Sequence, residues 1–378
     1  MTFNNFNLDP KLLFNLKTLN YIEPTPIQIQ SIPPILLGKD MMGLAQTGTG
    51  KTAAFLLPIL QKLIHEPKRM HGKGDKIRAL LIAPTRELAQ QIDDSIKMLG
   101  KGTGLKSMTL YGGVKMNPQI KTLKQGIDII VACPGRLLDH IQQRTVDLSH
   151  VNILVLDEAD QMFDMGFLPN IKKILKHLPK QRQTLLFSAT MPNAVHELAI
   201  NILSQPVKIK IGSSHPPQSV QQILYPVSEH RKSELLIHLL QHTKTQSVLV
   251  FTRTKHTAKK LASKIEKAGF RAASLQGNLS QKQRQNAMHG FRNGALQILV
   301  ATDIASRGID VMRVSHVINY DMPSTIESYI HRIGRTGRAT HSGDAYTFIS
   351  KHDQTEVRAI ERVLGCKLEQ RKVENFDY

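Results

Sequence analysis

The chain has 378 residues, 41% of them hydrophobic, with a formal net charge of +20, so it can bury about two cores. No apolar run is long enough to cross a bilayer, the opening Met1-Thr2-Phe3-Asn4-Asn5-Phe6 lacks a secretory layout, and two cysteines exclude a disulfide framework. A cytoplasmic protein with a polyanionic partner is expected, because Lys and Arg that neutralise phosphates release counterions.

The first polar signature is Pro24-Thr25-Pro26-Ile27-Gln28. A Pro-rich turn accounts for its prolines but not for Gln28. Met41-Met42-Gly43-Leu44 then reads as a buried strand, and Thr52-Ala53-Ala54-Phe55-Leu56-Leu57 as a helix. Between them lies Ala45-Gln46-Thr47-Gly48-Thr49-Gly50-Lys51-Thr52. A Gly-Thr-Gly run alone is often only a turn, and Ala45 stands where such loops usually begin with Gly. The strand–loop–helix context makes it a phosphate loop: backbone N–H groups cradle phosphates, Lys51 reaches the outer ones and Thr52 holds Mg²⁺.

Further apolar runs alternate with helical patterns: Ala79 to Ala83, Ile127 to Val131, Ile153 to Leu156 and Thr184 to Phe187. That alternation predicts βα units and a parallel sheet. The third run leads into Asp157-Glu158-Ala159-Asp160, whose bland reading is a solvated acidic loop. At the carboxyl end of a strand it supplies what a Mg-nucleotide site lacks, one carboxylate for the metal and one for water. Residues 211–218 are polar and Pro-containing and read as a linker between domains 1–210 and 219–378. The pattern resumes with Ser247 to Phe251, Gln297 to Ala301 and His316 to Tyr320, without a second phosphate loop.

Nearly every strand-like run ends in a polar signature. The first half has Pro84-Thr85-Arg86-Glu87-Leu88-Ala89, Tyr111-Gly112-Gly113, Cys133-Pro134-Gly135-Arg136 and Ser188-Ala189-Thr190. The second has Thr252-Arg253-Thr254-Lys255, the run from Thr302 to Asp310, and His331-Arg332-Ile333-Gly334-Arg335-Thr336-Gly337-Arg338. A turn needs Gly or Pro, but it does not need Arg and Thr at its tip so often.

This ordered set resembles the DEAD-box ATP-dependent RNA helicases, most of all their compact RhlE-like branch, from Phe3 to about Phe348. The resemblance implies two tandem RecA-like α/β domains, each a parallel sheet flanked by helices, with ATP and Mg²⁺ as cofactors. Gln28 would meet the adenine edge with Phe3 or Tyr21 packed beside it, and Asp310 would contact the ribose. Lys51 and the loop Ala45, Gln46, Thr47, Gly48, Thr49, Gly50 and Thr52 would hold the phosphates, with Thr52 and Asp157 on the metal. Glu158 would activate water, Arg335 and Arg338 would act as arginine fingers, and His331 would bond to the acidic motif. Ser188 and Thr190 would couple hydrolysis to RNA handling.

By the same resemblance RNA would be held without base readout by Pro84, Thr85, Arg86, Gly113, Pro134, Arg136, Thr252, Arg253 and Thr302. Gln281 and Arg284 match a further motif. Catalysis would need the two halves to approach. Departures from the family pattern are Cys133 in place of Thr, Asn20 in place of Gly before Tyr21, Ser306 for Ala, Gln276 for His, and no long basic tail. A monomer is expected, with RNA as partner and ribosome-assembly or RNA-decay proteins as accessory ones. Two rivals stay open from the residues: an RNA clamp that rarely turns over, and a DNA translocase.

Overall fold

The computed structural model describes residues 1–46, 48–66, 76–211, 220–243, 245–303, 314–337, 342–374 and 376. The chain divides into two compact units, Met1–Gly212 and Ser213–Tyr378. The expected linker 211–218 lies outside the described residues apart from Ile211.

The strands of the first unit are β1 (Met41–Ala45), β2 (Ala79–Ile82), β3 (Ser107–Leu110), β4 (Ile129–Ala132), β5 (Ile153–Leu156), β6 (Gln183–Ser188) and β7 (Val207–Ile211). They form one sheet in the order β3-β4-β2-β5-β6-β1-β7, every pair parallel. The second unit contains β8 (Val220–Pro226), β9 (Val248–Thr252), β10 (Ala272–Leu275), β11 (Ile298–Thr302), β12 (His316–Asn319), β13 (Gly343–Ile349) and β14 (Glu369–Gln370). Its sheet runs β10-β11-β9-β12-β13-β8-β14, again wholly parallel. The expected α/β class with two parallel sheets is what the chain forms.

Side chains of a strand alternate between faces, and a parallel sheet covered by helices buries both. Accordingly Ala79 and Leu81 of β2 enter one apolar cluster while Leu80 and Ile82 enter another. In β9, Val248 and Val250 face one cluster and Leu249 and Phe251 the other. Because all strands in a sheet run the same way, the turns after their carboxyl ends share one edge, where open α/β sheets hold ligands. None of the described helices is long and apolar enough to cross a membrane.

Candidate functional site

The turn leaving β1 is built around a left-handed glycine. Gly50 has φ +95°, and a Cβ there would lie 2.6 Å from Gln28 Nε2, so only glycine fits. Gln28, at the start of the helix Pro26–Leu36, donates from Nε2 to the Gly50 carbonyl (3.1 Å). Its Oε1 accepts from the Thr25 N–H (2.9 Å). The buried Gln28 amide therefore braces the loop after β1, a role absent from the sequence reading, which placed it only on a base edge. Phe3 is buried and meets Tyr21 edge-on at 6.2 Å, so the two rings expected beside the base do lie together. Asn20, just before, takes φ +58°, the left-handed backbone its Gly-like position demands.

Lys51 opens the helix Lys51–His65 and is buried, its Nζ donating to the Ala45 carbonyl at 2.7 Å. Ala45 needs no special side chain, because its carbonyl is the part used. The Thr49 hydroxyl donates to the Gln46 carbonyl (2.8 Å), closing the loop on itself. Thr52 follows in the first turn of the same helix. Thr47 lies outside the described residues.

Four strands later in the chain, β5 delivers the acidic turn. Asp157 is buried, and burial holds its carboxyl above the usual carboxylate range while the Lys51 ammonium pulls it down. Its Oδ1 accepts from the Glu158 N–H (3.0 Å). Glu158 itself adopts φ 53° and ψ 52°, a left-handed conformation that costs a non-glycine residue roughly 1–2 kcal/mol. Asp160 is the connector that the sequence did not single out. Its Oδ2 accepts from both the N–H (2.8 Å) and the hydroxyl (2.9 Å) of Thr190, while its own N–H donates to Ser188 Oγ (3.1 Å). The acidic turn and the segment after β6 are thus one hydrogen-bonded piece.

On the same sheet edge, Thr85 caps the helix Arg86–Leu99 by accepting from Leu88 N–H (3.2 Å). Pro84 precedes it. The Arg86 guanidinium lies against Gly113, whose φ is +78° and where a Cβ would fall 2.1 Å from Nη1. Pro134 and Arg136 begin the helix Pro134–Gln142. Arg136 Nη1 donates to Gln119 Oε1 (2.9 Å) and Nη2 to the Val114 carbonyl (3.0 Å). Cys133 stands just before that helix in a buried position, and burial pushes its thiol up to about 12.

In the second unit Thr252 ends β9 fully buried, its hydroxyl donating to the Thr254 carbonyl (3.3 Å). Its side chain therefore shapes the turn that leads to Arg253. Arg253 is exposed and is anchored through its N–H to Asp321 Oδ2 (2.7 Å). Thr302 ends β11 half-buried. The sequence also missed Arg332, which donates from Nε and Nη2 to the two oxygens of Asp303 (2.6 and 2.8 Å). Its Nη1 reaches Asn319 Oδ1 (3.2 Å) and the Asp321 carbonyl (2.7 Å). This crossbar fixes the carboxyl ends of β9, β11 and β12. His331 sits on the helix Ile326–Ile333 and Arg335 is buried just beyond it. Asp310 and Arg338 lie outside the described residues.

Among the described residues no group of three or more His, Cys, Asp or Glu is placed to hold a metal ion. A cation here would be shared with phosphates, as Mg²⁺ commonly is.

Residues 25–198 match the DEAD/DEAH box helicase family and residues 231–340 the helicase conserved C-terminal domain. The chain is 42% identical over 378 residues to the DEAD-box ATP-dependent RNA helicase CshA of Bacillus subtilis, covering 100% of this chain and 75% of the relative. It is 43% identical over 369 residues to the ATP-dependent RNA helicase CshA of Limosilactobacillus reuteri, covering 97% and 73%. S. cerevisiae Dbp5 bound to RNA and ADP BeF3 superposes with a TM-score of 0.84 at 30% identity, over 98% of this chain and 95% of that one. The DEAD-box helicase Mss116 bound to ssRNA and UDP-BeF gives 0.86 at 28% identity, over 98% and 79%. With its glycine-built loop after β1, its acidic turn after β5 and this similarity along the whole chain, the protein belongs to the DEAD-box ATP-dependent RNA helicase family.

Proposed function

We infer that the chain hydrolyses ATP when it binds RNA and uses the cycle to separate short duplexes or remodel RNA–protein complexes locally. The observation that carries this reading is the pairing of two features on one sheet edge. Gln28, Gly50, Lys51 and Ala45 brace a phosphate loop, and Asp160 joins the neighbouring acidic turn to Ser188 and Thr190.

In this reading Lys51 exchanges its carbonyl partner for the outer phosphates, and the N–H groups at the start of its helix receive the rest. One N–H of Gln28 keeps hold of Gly50 while the other meets the adenine edge, with Phe3 and Tyr21 packed beside the base. Asp157 and Thr52 are the proposed holders of Mg²⁺, which when bound neutralises phosphate charge. A fully buried carboxylate beside a single ammonium suits an added cation, since unpaired burial of charge is unfavourable. Glu158 orients the attacking water and accepts its proton, and Arg335 and Arg338 steady the charge that develops on the transferring phosphoryl group. His331 is proposed to bond the acidic turn, and Asp310 the ribose.

Pro84, Thr85, Arg86, Gly113, Pro134, Arg136, Thr252, Arg253 and Thr302 are proposed to track the RNA backbone, which positions a strand without reading bases. A stacking channel is not expected of a chain with 5% aromatic residues and no Trp. Membership of the RhlE-like branch, action as a cytoplasmic monomer, and partnership with ribosome-assembly or RNA-decay proteins are further proposals, supported by motif order, net charge and the two cysteines.

The deciding experiment is steady-state ATPase activity with single-stranded RNA, with DNA of matched sequence, and with neither. Strong stimulation by RNA alone is expected. Equal stimulation by DNA would make the chain a DNA translocase. RNA binding without turnover would make it a clamp.

A further inference from the structure

The turn carrying Gly113 and the helix carrying Arg136 meet at one amide. Gln119, on the helix Met116–Leu123, is buried, as is His140 on the helix Pro134–Gln142. Gln119 Nε2 donates to the Tyr111 carbonyl at 3.2 Å, which fixes the orientation of the amide. Its Oε1 then takes two donors, Arg136 Nη1 at 2.9 Å and His140 Nε2 at 3.0 Å. An amide oxygen only accepts, so the proton of His140 resides on Nε2, and Nδ1 is left to the Thr145 hydroxyl at 2.8 Å. Burial and the nearby Arg136 lower the His140 pKa, in keeping with that neutral ring.

Arg136 is thereby held from several sides. Its Nη2 donates to the Val114 carbonyl, Nε lies 3.4 Å from Asp139 Oδ2, and its side chain is only 12% exposed. Both terminal nitrogens still carry a second N–H, because each uses one in these bonds. On the other flank of the turn Arg86 presses against Gly113. Two cationic side chains and a glycine turn are fixed in one arrangement, and the part joining them is neither charged nor exposed.

We propose that Gln119, oriented by the Tyr111 carbonyl and braced by His140, is a positioning residue that sets Arg136 and the Gly112–Gly113 turn in one register for an RNA sugar–phosphate strand. This rests on the reading that Arg136 touches RNA. A long arginine side chain loses rotamer freedom when it binds phosphate, and holding it beforehand moves that loss from binding into folding. Gln119 acts only through Arg136 and the turn, so its removal should change RNA binding and leave nucleotide binding alone.

The test is a double-mutant cycle on the full chain, read as affinity for a labelled single-stranded oligouridylate across a salt series. Arg136→Ala should weaken binding about tenfold, the size of a lost charge-assisted contact. It should also lower the log–log salt slope by about 0.7, the value for one phosphate on a single strand. Gln119→Leu should produce most of both effects with an unchanged KM for ATP. Added to Arg136→Ala it should do nothing further. His140→Phe should give a smaller loss that also vanishes in the Arg136→Ala background, and it decides the matter where Gln119→Leu does not fold.

The salt slope separates positioning from a merely structural part, since general loosening would not remove one phosphate contact. Additive losses, or a slope left intact by Gln119→Leu and His140→Phe while Arg136→Ala lowers it, would overturn the proposal alone. An unchanged slope in Arg136→Ala would overturn the parent reading of Arg136, and this proposal with it.

Discussion

Removing Arg332 should cost the second unit much of its stability, and the amount follows from the contacts. The side chain is 4% exposed, forms a bidentate pair with Asp303, bonds Asn319 and Asp321, and lies 5.1 Å over the Phe251 ring. Taking one partner from a buried ion pair costs about 3–5 kcal/mol, because the other charge is left behind. Asp303 is 32% exposed and regains water when abandoned, so Arg332→Gln belongs at the low end, about 3 kcal/mol. With a urea m-value of about 2 kcal/mol/M, the unfolding midpoint should fall by roughly 1.5 M. Hydrogen exchange of the β11 and β12 amides along a urea series reads this unit by itself. Arg332→Lys should recover less than half of the loss, since an ammonium cannot reproduce the planar fork. A midpoint shift below about 0.3 M would mean that the crossbar contributes no more than an exposed ion pair, and the reasoning would be wrong.

Glu158→Gln should keep ATP and RNA binding while hydrolysis falls by about 10²-fold or more; near-normal turnover would remove Glu158 from the role of base. Arg335→Ala should lower kcat by about 10³-fold with a smaller change in ATP affinity, and the reverse split in steady-state kinetics would refute the finger. Asp40 accepts from the Thr184 and Ser204 N–H groups, both at 2.7 Å, so Asp40→Ala should destabilise the first unit by about 2–4 kcal/mol in urea melts. At about pH 8 iodoacetamide should label the exposed Cys366 and spare Cys133, whose thiol is buried and pushed up to about 12; a peptide map showing Cys133 alkylated in the native chain would contradict that burial.

What could be read from the sequence was set by where hydrophobic contrast is strongest. The central strands β1, β2, β4, β5, β9 and β11 bury both faces and appear as apolar runs, and the chemistry-bearing turns follow directly after them. The edge strand β7, Val207-Lys208-Ile209-Lys210-Ile211, alternates with exposed lysines, a period of two that marks a half-buried strand in the sequence itself. Strand β14 has two exposed residues and carries no pattern at all. Pairings across distant segments could not be read: Arg332 finds Asp303 29 positions away, and Thr190 finds Asp160 30 away. The inward bond of the Thr252 hydroxyl to the Thr254 carbonyl is local but equally invisible to hydrophobic contrast, since a threonine at a strand end reads the same whichever way its hydroxyl turns.

The order of strands in space is far from their order in the chain, and this bears on how the protein is made. Strand β1 sits between β6 and β7, and Asp40 at its foot accepts from Thr184, 144 positions later. At common elongation speeds its neighbours emerge from the ribosome on the order of ten seconds after it does. In the second unit β8 likewise waits for β13 and β14. The strand that leads into the Gly50–Lys51 turn is among the first synthesised and the last enclosed. A nascent chain halted before Val207 keeps one side of that strand open to pairing with another chain, so stalled translation is the moment of greatest aggregation risk.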